Sequence, residues 1–281
     1  MSHDVGLWPR DGSLDLERVR AWLDVRPEWT IRERTAIYEN TDTDVYFTLD
    51  VNGDDADEGE PPLLAVLNVY RPSFFGLEAA EVLGEFSAEF NLLGSDGTDE
   101  RGERVPCNAD WLLPRWNEAN AAGYRTIGAQ DSAPNPMPQS TLVEAWRWNR
   151  LRAGRQQQYV EDDVFVPRIM AIRTSAGLGT AVVWTDVIPF LLPPVSHVLV
   201  HRGSAPTRRR LRAPAQTQLQ TRAAVLKVLG HLAMTSADWI EFVEQPAPPA
   251  IAAWAAALNS RKRDFNLVSW DKIHDEELLT R

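Results

Sequence analysis

The chain contains very little cysteine and very little lysine. Cys107 is the single cysteine in 281 residues, which excludes an intramolecular disulfide and any cysteine cluster for zinc or an iron–sulfur centre. A thiol without an identifiable neighbouring base is usually inert, so Cys107 is not predicted to be a nucleophile. Three lysines stand against 26 arginines, and none follows a strand carboxylate at the spacing that a nuclease site needs.

Long uninterrupted apolar runs are also missing. Residues 179–202 are the most apolar stretch, but Asp186 and the pair Pro193 and Pro194 interrupt it. A membrane-spanning helix needs about 20 consecutive apolar residues, and a proline pair breaks a helix. The flanking β-branched segments predict buried strands, with no membrane contact. Since the first residues lack a basic segment followed by an apolar one, the sequence predicts a cytoplasmic protein of bacterial type.

No motif of a known catalytic site is found in the sequence. Residues 175–180 contain two glycines, but a strand follows them, so a hairpin turn is predicted and a phosphate loop is not. No serine stands in a nucleophile-elbow pattern. His197 and His201 would lie about 13 Å apart on one strand, too far to share a metal ion. The sequence therefore predicts no metal site and no cofactor.

Acidic residues are concentrated in the first part of the chain. Residues 1–110 have a net charge of −16, whereas residues 111–281 have +5. The segment 74–93 predicts a helix with one apolar side. Four glutamates recur on another side of it: Glu78, Glu81, Glu85 and Glu89. A predicted hairpin loop adds four more acids: Asp54, Asp55, Asp57 and Glu58. These residues predict a negative surface that attracts a basic protein. Attraction between the two halves, or solubility alone, would also explain the charge.

The order of predicted elements indicates an α+β protein with two units. Each unit is predicted as a helix, three antiparallel strands and a helix. The predicted units are residues 1–93, which are acidic, and residues 139–235. A connection rich in proline, glycine and asparagine, 94–138, joins them. A helical tail, 236–281, is expected to pack on the second unit. The shared order suggests a duplication.

Tryptophan is abundant, with 11 residues in the chain. Trp146 and Trp148 lie two apart on a predicted helix, 141–151, so both cannot face the same side of it. One of the two is therefore predicted to contact a partner, because tryptophan is enriched at the energetic centres of interfaces. The alternative is that both are buried between layers.

Three functional hypotheses follow from these surfaces. The preferred one is a non-catalytic binding protein, immunity-like or an adaptor, that captures a basic protein such as a toxin or a nucleic-acid-binding protein. The first alternative is an enzyme that uses Asp186, His197 and the arginine-rich loop 202–212. The second is a structural subunit of a larger assembly. Direct nucleic-acid binding is not predicted, because no aromatic residues interleave the arginine loop.

Overall fold

The computed structural model describes residues 1–52, 59–96, 103–127, 135–202, 216–236, 239–258 and 265–279. The chain divides into two compact units. The first unit contains Met1–Val143 and Asp271–Arg281, and the second contains Glu144–Trp270. The second unit is therefore inserted into the sequence of the first. The sequence predicts residues 94–138 as a connection and residues 271–281 as part of a tail on the second unit. In this division both segments belong to the first unit.

The first unit is built on a seven-stranded antiparallel sheet. Its strands and helices are, in chain order, β1 Ser2–Pro9, α1 Leu16–Asp24, β2 Trp29–Arg32, β3 Thr35–Asn40, β4 Val45–Val51, β5 Leu63–Asn68, α2 Phe74–Glu89, β6 Leu92–Ser95, β7 Val105–Pro106, α3 Ala109–Ile127, β8 Pro136–Met137, β17 His274–Asp275 and α8 Glu276–Leu279. The order in the sheet is β2-β3-β4-β5-β1-β6-β7. Strands β8 and β17 form a separate parallel pair.

Alternating apolar residues give β4 its buried face, as the sequence predicts. Val45, Phe47, Leu49 and Val51 are buried, and the residues between them are partly exposed. Helix α2 packs on this sheet, and its Gly76 lies directly against helix α3. A Cβ atom at Gly76 would lie 2.1 Å from Cε3 of Trp116, so only glycine fits there.

The second unit contains a mixed five-stranded sheet and a smaller three-stranded sheet. Its elements are α4 Gln139–Arg150, which begins in the first unit, α5 Arg152–Gln158, β9 Met170–Thr174, β10 Gly177–Thr185, β11 Phe190–Leu192, β12 His197–Arg202, β13 Gln216–Thr221, α6 Arg222–Leu229, β14 Met234–Thr235, β15 Ile240–Phe242, α7 Pro249–Ala257 and β16 Phe265–Val268. The larger sheet has the order β13-β12-β10-β9-β16, and the smaller one β11-β15-β14.

The α+β class is confirmed, and several details of the second unit differ from the expectation. Strands β9 and β10 form the predicted hairpin, but β10 and β12 are parallel. The two units therefore do not share one pattern of strand pairing. The spacing of apolar residues in the segment 216–233 predicts one helix. The segment instead begins as strand β13 and becomes helical at Arg222. Thr221 caps that helix, because its hydroxyl accepts a hydrogen bond from the Ala224 N–H.

The apolar stretch 179–202 forms strands, as predicted. It contains most of β10, all of β11 and all of β12. Within the described ranges, no helix combines the length and the apolarity that crossing a bilayer requires.

Candidate anion-binding cavity of the second unit

A cavity of about 510 Å³ lies within the second unit. It is lined by Glu144, Arg147, Trp148, Arg155, Pro194, Arg222, Thr235, Ser236, Trp239 and Ile240. These residues come from helices α4, α5 and α6, from strands β14 and β15, and from the connections around them. The volume falls in the range of pockets that hold small molecules, which is roughly 300–1,000 Å³.

One arginine holds the two tryptophan rings of the cavity. The guanidinium carbon of Arg155 lies 4.5 Å from the ring centroid of Trp148 and 5.3 Å from that of Trp239. The two rings meet edge to face, with centroids 6.0 Å apart. The Arg155 Nη1 also donates to the Trp148 carbonyl oxygen at 3.2 Å. This stack fixes an aromatic wall and places positive charge beside it.

The carboxylate of Glu241 holds Trp239, the second tryptophan of this wall, in place. The Oε1 atom of Glu241 accepts hydrogen bonds from Trp239 Nε1 at 3.0 Å and from the Tyr159 hydroxyl at 2.7 Å. Burial and the bond to Glu241 both raise the pKa of the Tyr159 hydroxyl, so this group stays a donor at neutral pH. Trp239 and Tyr159 are thereby joined through one acceptor.

Buried polar contacts hold helix α4, which supplies Glu144, Arg147 and Trp148. The side chain of Asn149 binds both backbone groups of Ile169: its Oδ1 accepts from the N–H at 2.8 Å, and its Nδ2 donates to the carbonyl at 2.9 Å. Trp148 Nε1 donates to the carbonyl of Pro167 at 2.7 Å. Because these groups are buried, losing either contact would leave polar atoms unsatisfied.

Another arginine of the lining, Arg222, has a side-chain donor without a partner among the described residues. Arg222 is the first residue of helix α6, and its backbone N–H donates to the carbonyl of Ser196 at 3.0 Å. Its side-chain Nε is buried and has no hydrogen-bond partner among the described residues. A buried donor of this kind carries an energetic penalty unless a ligand or water accepts from it. Arg222 also lines the cavity.

The charge of the cavity is positive. Among the described residues, three arginines and one glutamate line it, which gives this lining a formal net charge of +2, and Thr235 and Ser236 add two hydroxyl groups. Arginine binds carboxylate and phosphate groups through paired N–H donors. In the part of the chain that the structure describes, no group of three or more His, Cys, Asp or Glu side chains could hold a metal ion. The chemistry that this cavity offers is the binding of an anion.

The glutamates of the predicted acidic surface lie in two different environments. Glu78 is fully buried, and its Oε1 accepts from the Tyr38 hydroxyl and from Asn40 Nδ2, each at 2.7 Å. The prediction that Glu78 lies on the surface is therefore wrong, because two buried donors satisfy it inside the first unit. Glu81, Glu85 and Glu89 are exposed on helix α2.

One arginine in helix α1 and one just after it pair with two of these exposed glutamates. Arg18 binds Glu89, and Arg26 lies 3.4 Å from Glu85. The side chain of Glu85 nevertheless stays 67% exposed. Part of the negative charge of the helix is thus compensated, so the surface is less acidic than the sequence predicts. The loop acids Asp54, Asp55, Asp57 and Glu58 lie outside the described residues.

Trp146 and Trp148 are both buried, at 6% and 4% exposure. This arrangement is the alternative considered from the sequence. It leaves neither ring on an exposed surface of the described structure, and Trp148 lines the cavity. A role of Trp146 in binding a partner stays a prediction.

Asp186 and His197, two of the residues of the enzyme alternative, do not lie together. His197 pairs with Ala181 at the start of β12, whereas Asp186 follows Thr185, which pairs with His201 at the other end. The side chain of His197 contacts Ser196 Oγ at 2.8 Å, and burial lowers its pKa. Loop residues 203–215 lie outside the described residues. Asp186 and His197 are thus separated by about 13 Å of strand, and neither lines the cavity.

Most residues of the cavity cannot be predicted from the sequence. A local signal exists for one pair, because Trp148 and Arg155 are seven residues apart and can share one face of neighbouring helical segments. Arg222 and Trp239 come from distant parts of the chain and have no such signal. Comparisons with protein-family models, with curated proteins and with solved structures found no match.

Proposed function

We propose that the protein is a non-catalytic binding protein whose second unit takes up a small anionic ligand in this cavity. The observation that carries the proposal is the presence of Arg147, Arg155 and Arg222 in one cavity, whose described lining has a formal net charge of +2. An anion would accept hydrogen bonds from these arginines and would neutralise the described lining. The cytoplasm remains the proposed location.

Isothermal titration calorimetry with a panel of small anions tests the proposal. The panel contains inorganic phosphate, citrate and benzoate, each titrated into the wild-type protein and into Arg222→Met. At least one anion should bind, and Arg222→Met should weaken it by about tenfold or more, since hydrogen bonds to charged groups contribute about 1.5–3 kcal/mol.

Arg173→Met is the matched control, because it removes the same charge from an exposed position of the same unit that does not line the cavity. It should bind as the wild type does. Equal binding by Arg222→Met, or no heat with any anion, would overturn the proposal.

A second candidate function is the capture of a basic protein by the first unit. It is favoured by the exposure of Glu81 and Glu85 on helix α2. Such a surface would steer a basic partner, a toxin or a nucleic-acid-binding protein among them, and its effect would weaken with salt. The protein would then act as an immunity-like protein or an adaptor.

Charge reversal on helix α2 tests this second candidate. The double variant Glu81→Arg with Glu85→Arg should retain less of a basic protein in pull-downs at low salt, without loss of folding, because exposed ion pairs contribute about 0–1 kcal/mol. The control variant, Glu161→Arg with Asp162→Arg, makes the same change at exposed positions of the second unit. Equal retention by the two double variants would refute the assignment.

A further inference from the structure

We infer that the anion taken up by the cavity is an organic phosphate monoester with a planar ring system, of the size of a nucleoside monophosphate. This inference rests on the proposed function and specifies its ligand. It depends on two properties of the cavity: the number of its donors, and the combination of charge with an apolar wall.

The charge and the donors favour phosphate over carboxylate. A carboxylate carries one negative charge and is satisfied by one bidentate arginine. The described lining has a formal net charge of +2 and contains, besides the arginine stacked on the tryptophans, Arg147, Arg222 and the hydroxyls of Thr235 and Ser236. A phosphate monoester carries a charge of about −1.5 to −2 at pH 7 and has three strong acceptor oxygens. It can therefore use this set of donors and neutralise the lining.

The volume and the apolar wall of the cavity favour an organic ligand over inorganic phosphate. Trp148, Trp239, Pro194 and Ile240 supply apolar surface to the same cavity. Inorganic phosphate would leave that surface and most of the 510 Å³ to water. A planar ring would contact this apolar wall. Charge and apolar surface together thus select a phosphorylated ring compound.

The test uses adenosine 5′-monophosphate and its two halves, adenosine and inorganic phosphate, in titration calorimetry with the full chain. The monophosphate should bind about tenfold or more tightly than either half, because both parts of the cavity contribute. Arg222→Met and Arg147→Met should each reduce its affinity by about tenfold, and Arg173→Met should leave it unchanged. Arg147 is exposed on helix α4, so its replacement tests the cavity in a variant expected to fold normally.

Glu144→Gln provides a test of opposite sign. Removing this negative charge from the lining should tighten binding of the monophosphate by roughly two- to fivefold, as expected for charges near a protein surface. Unchanged or weaker binding by Glu144→Gln would contradict the electrostatic part of the inference.

The remaining outcomes separate the inference from the proposed function. If inorganic phosphate binds as tightly as the monophosphate, the ring contributes nothing and the inference fails. If the monophosphate does not bind but citrate or benzoate does so through Arg222, the inference fails and the proposed function survives. If no anion binds, both fail.

Discussion

The hydroxyl of Tyr38 donates a 2.7 Å hydrogen bond to the carboxylate of Glu78 in the interior of the first unit. The same oxygen accepts from Asn40 Nδ2, and Glu78 is fully buried. These two bonds join helix α2 to strand β3. Tyr38 and Asn40 lie 40 and 38 residues before Glu78 in the sequence. A glutamate in this place has a structural role, because it satisfies two donors that have no access to water.

Replacing Glu78 with leucine should lower the free energy of unfolding by about 2–4 kcal/mol, since it removes the acceptor of two buried hydrogen bonds, from the Tyr38 hydroxyl and the Asn40 amide. Glu78→Gln should be milder, because its amide oxygen can accept both bonds. Urea unfolding followed by tryptophan fluorescence measures both. Glu85→Gln is the exposed control and should change stability by less than about 0.5 kcal/mol. A Glu78→Leu protein as stable as the wild type would contradict the prediction.

Alanine at two helical glycines should have effects of opposite sign. Gly76→Ala places a Cβ atom against the buried ring of Trp116, which is also held by a 3.1 Å bond from Nε1 to the carbonyl of Asn68. We expect a loss of about 1–3 kcal/mol from overpacking.

At Gly154, in helix α5, a Cβ atom meets nothing within 4 Å. Gly154→Ala should therefore stabilise the protein by about 0.5–1 kcal/mol, which is the difference in helix propensity. Thermal unfolding of both variants checks the pair. Shifts of the same sign would show that close packing at Gly76 is not what requires glycine.

Asp275 should make stability depend on pH in an unusual direction. Burial raises the pKa of this carboxyl to about 6, against the lowering effect of the bonds that it accepts from the Ser73 N–H and hydroxyl. The folded protein then holds the proton more tightly than the unfolded chain does. The contribution of this group to the free energy of unfolding should rise as pH falls from about 6 to about 4, by up to about 3 kcal/mol.

Asp275→Asn removes this titration. The difference in unfolding free energy between wild type and variant, measured by urea unfolding from pH 4 to pH 7, should grow in favour of the wild type toward low pH. The difference isolates Asp275 from the other carboxylates, which titrate in both proteins. A flat difference across this range would show that the carboxyl does not titrate differently on folding.

Cys107 should be unreactive in the folded protein. It is 5% exposed, and burial raises the pKa of its thiol. Modification by a thiol reagent at pH 8 should be roughly 100-fold or more slower than in urea, because it requires local opening. As the single cysteine of the chain, it reports on the first unit alone. Equal rates with and without urea would contradict the burial of this residue.

Much of the fold can be predicted from local patterns, and the exceptions have physical causes. The alternation in β4, the turn between β9 and β10 and helix α7 are visible in the sequence because each depends on neighbouring residues. Strand β1 is not visible, since its residues include Gly6 and Pro9 and its place between β5 and β6 depends on distant partners. Glu78 and Glu81 belong to the same helical repeat of glutamates, so the local pattern does not distinguish them. The burial of Glu78 depends on Tyr38 and Asn40, which lie 40 and 38 residues away.

The candidate site was less predictable than the fold. The sequence predicts that one of Trp146 and Trp148 contacts a partner. It does not predict that Trp148 lines a cavity. Arg147 and Arg155 lie in an arginine-rich chain, where composition hides their significance. Arg222 reaches the cavity only through the packing of α6 in the folded unit. Local sequence patterns contain no record of a cavity whose walls come from separate segments.

The insertion of the second unit within the first has a consequence for the order in which the chain folds on the ribosome. The segment from Asp271 onward, which supplies β17 and the acceptor for Ser73, is synthesised only after the whole second unit. Until then, β8 lacks its neighbouring strand and Ser73 lacks the carboxylate of Asp275. The second unit is continuous in sequence and can fold as it emerges. Of the two units, the one whose synthesis starts earlier is thus the one that finishes folding last.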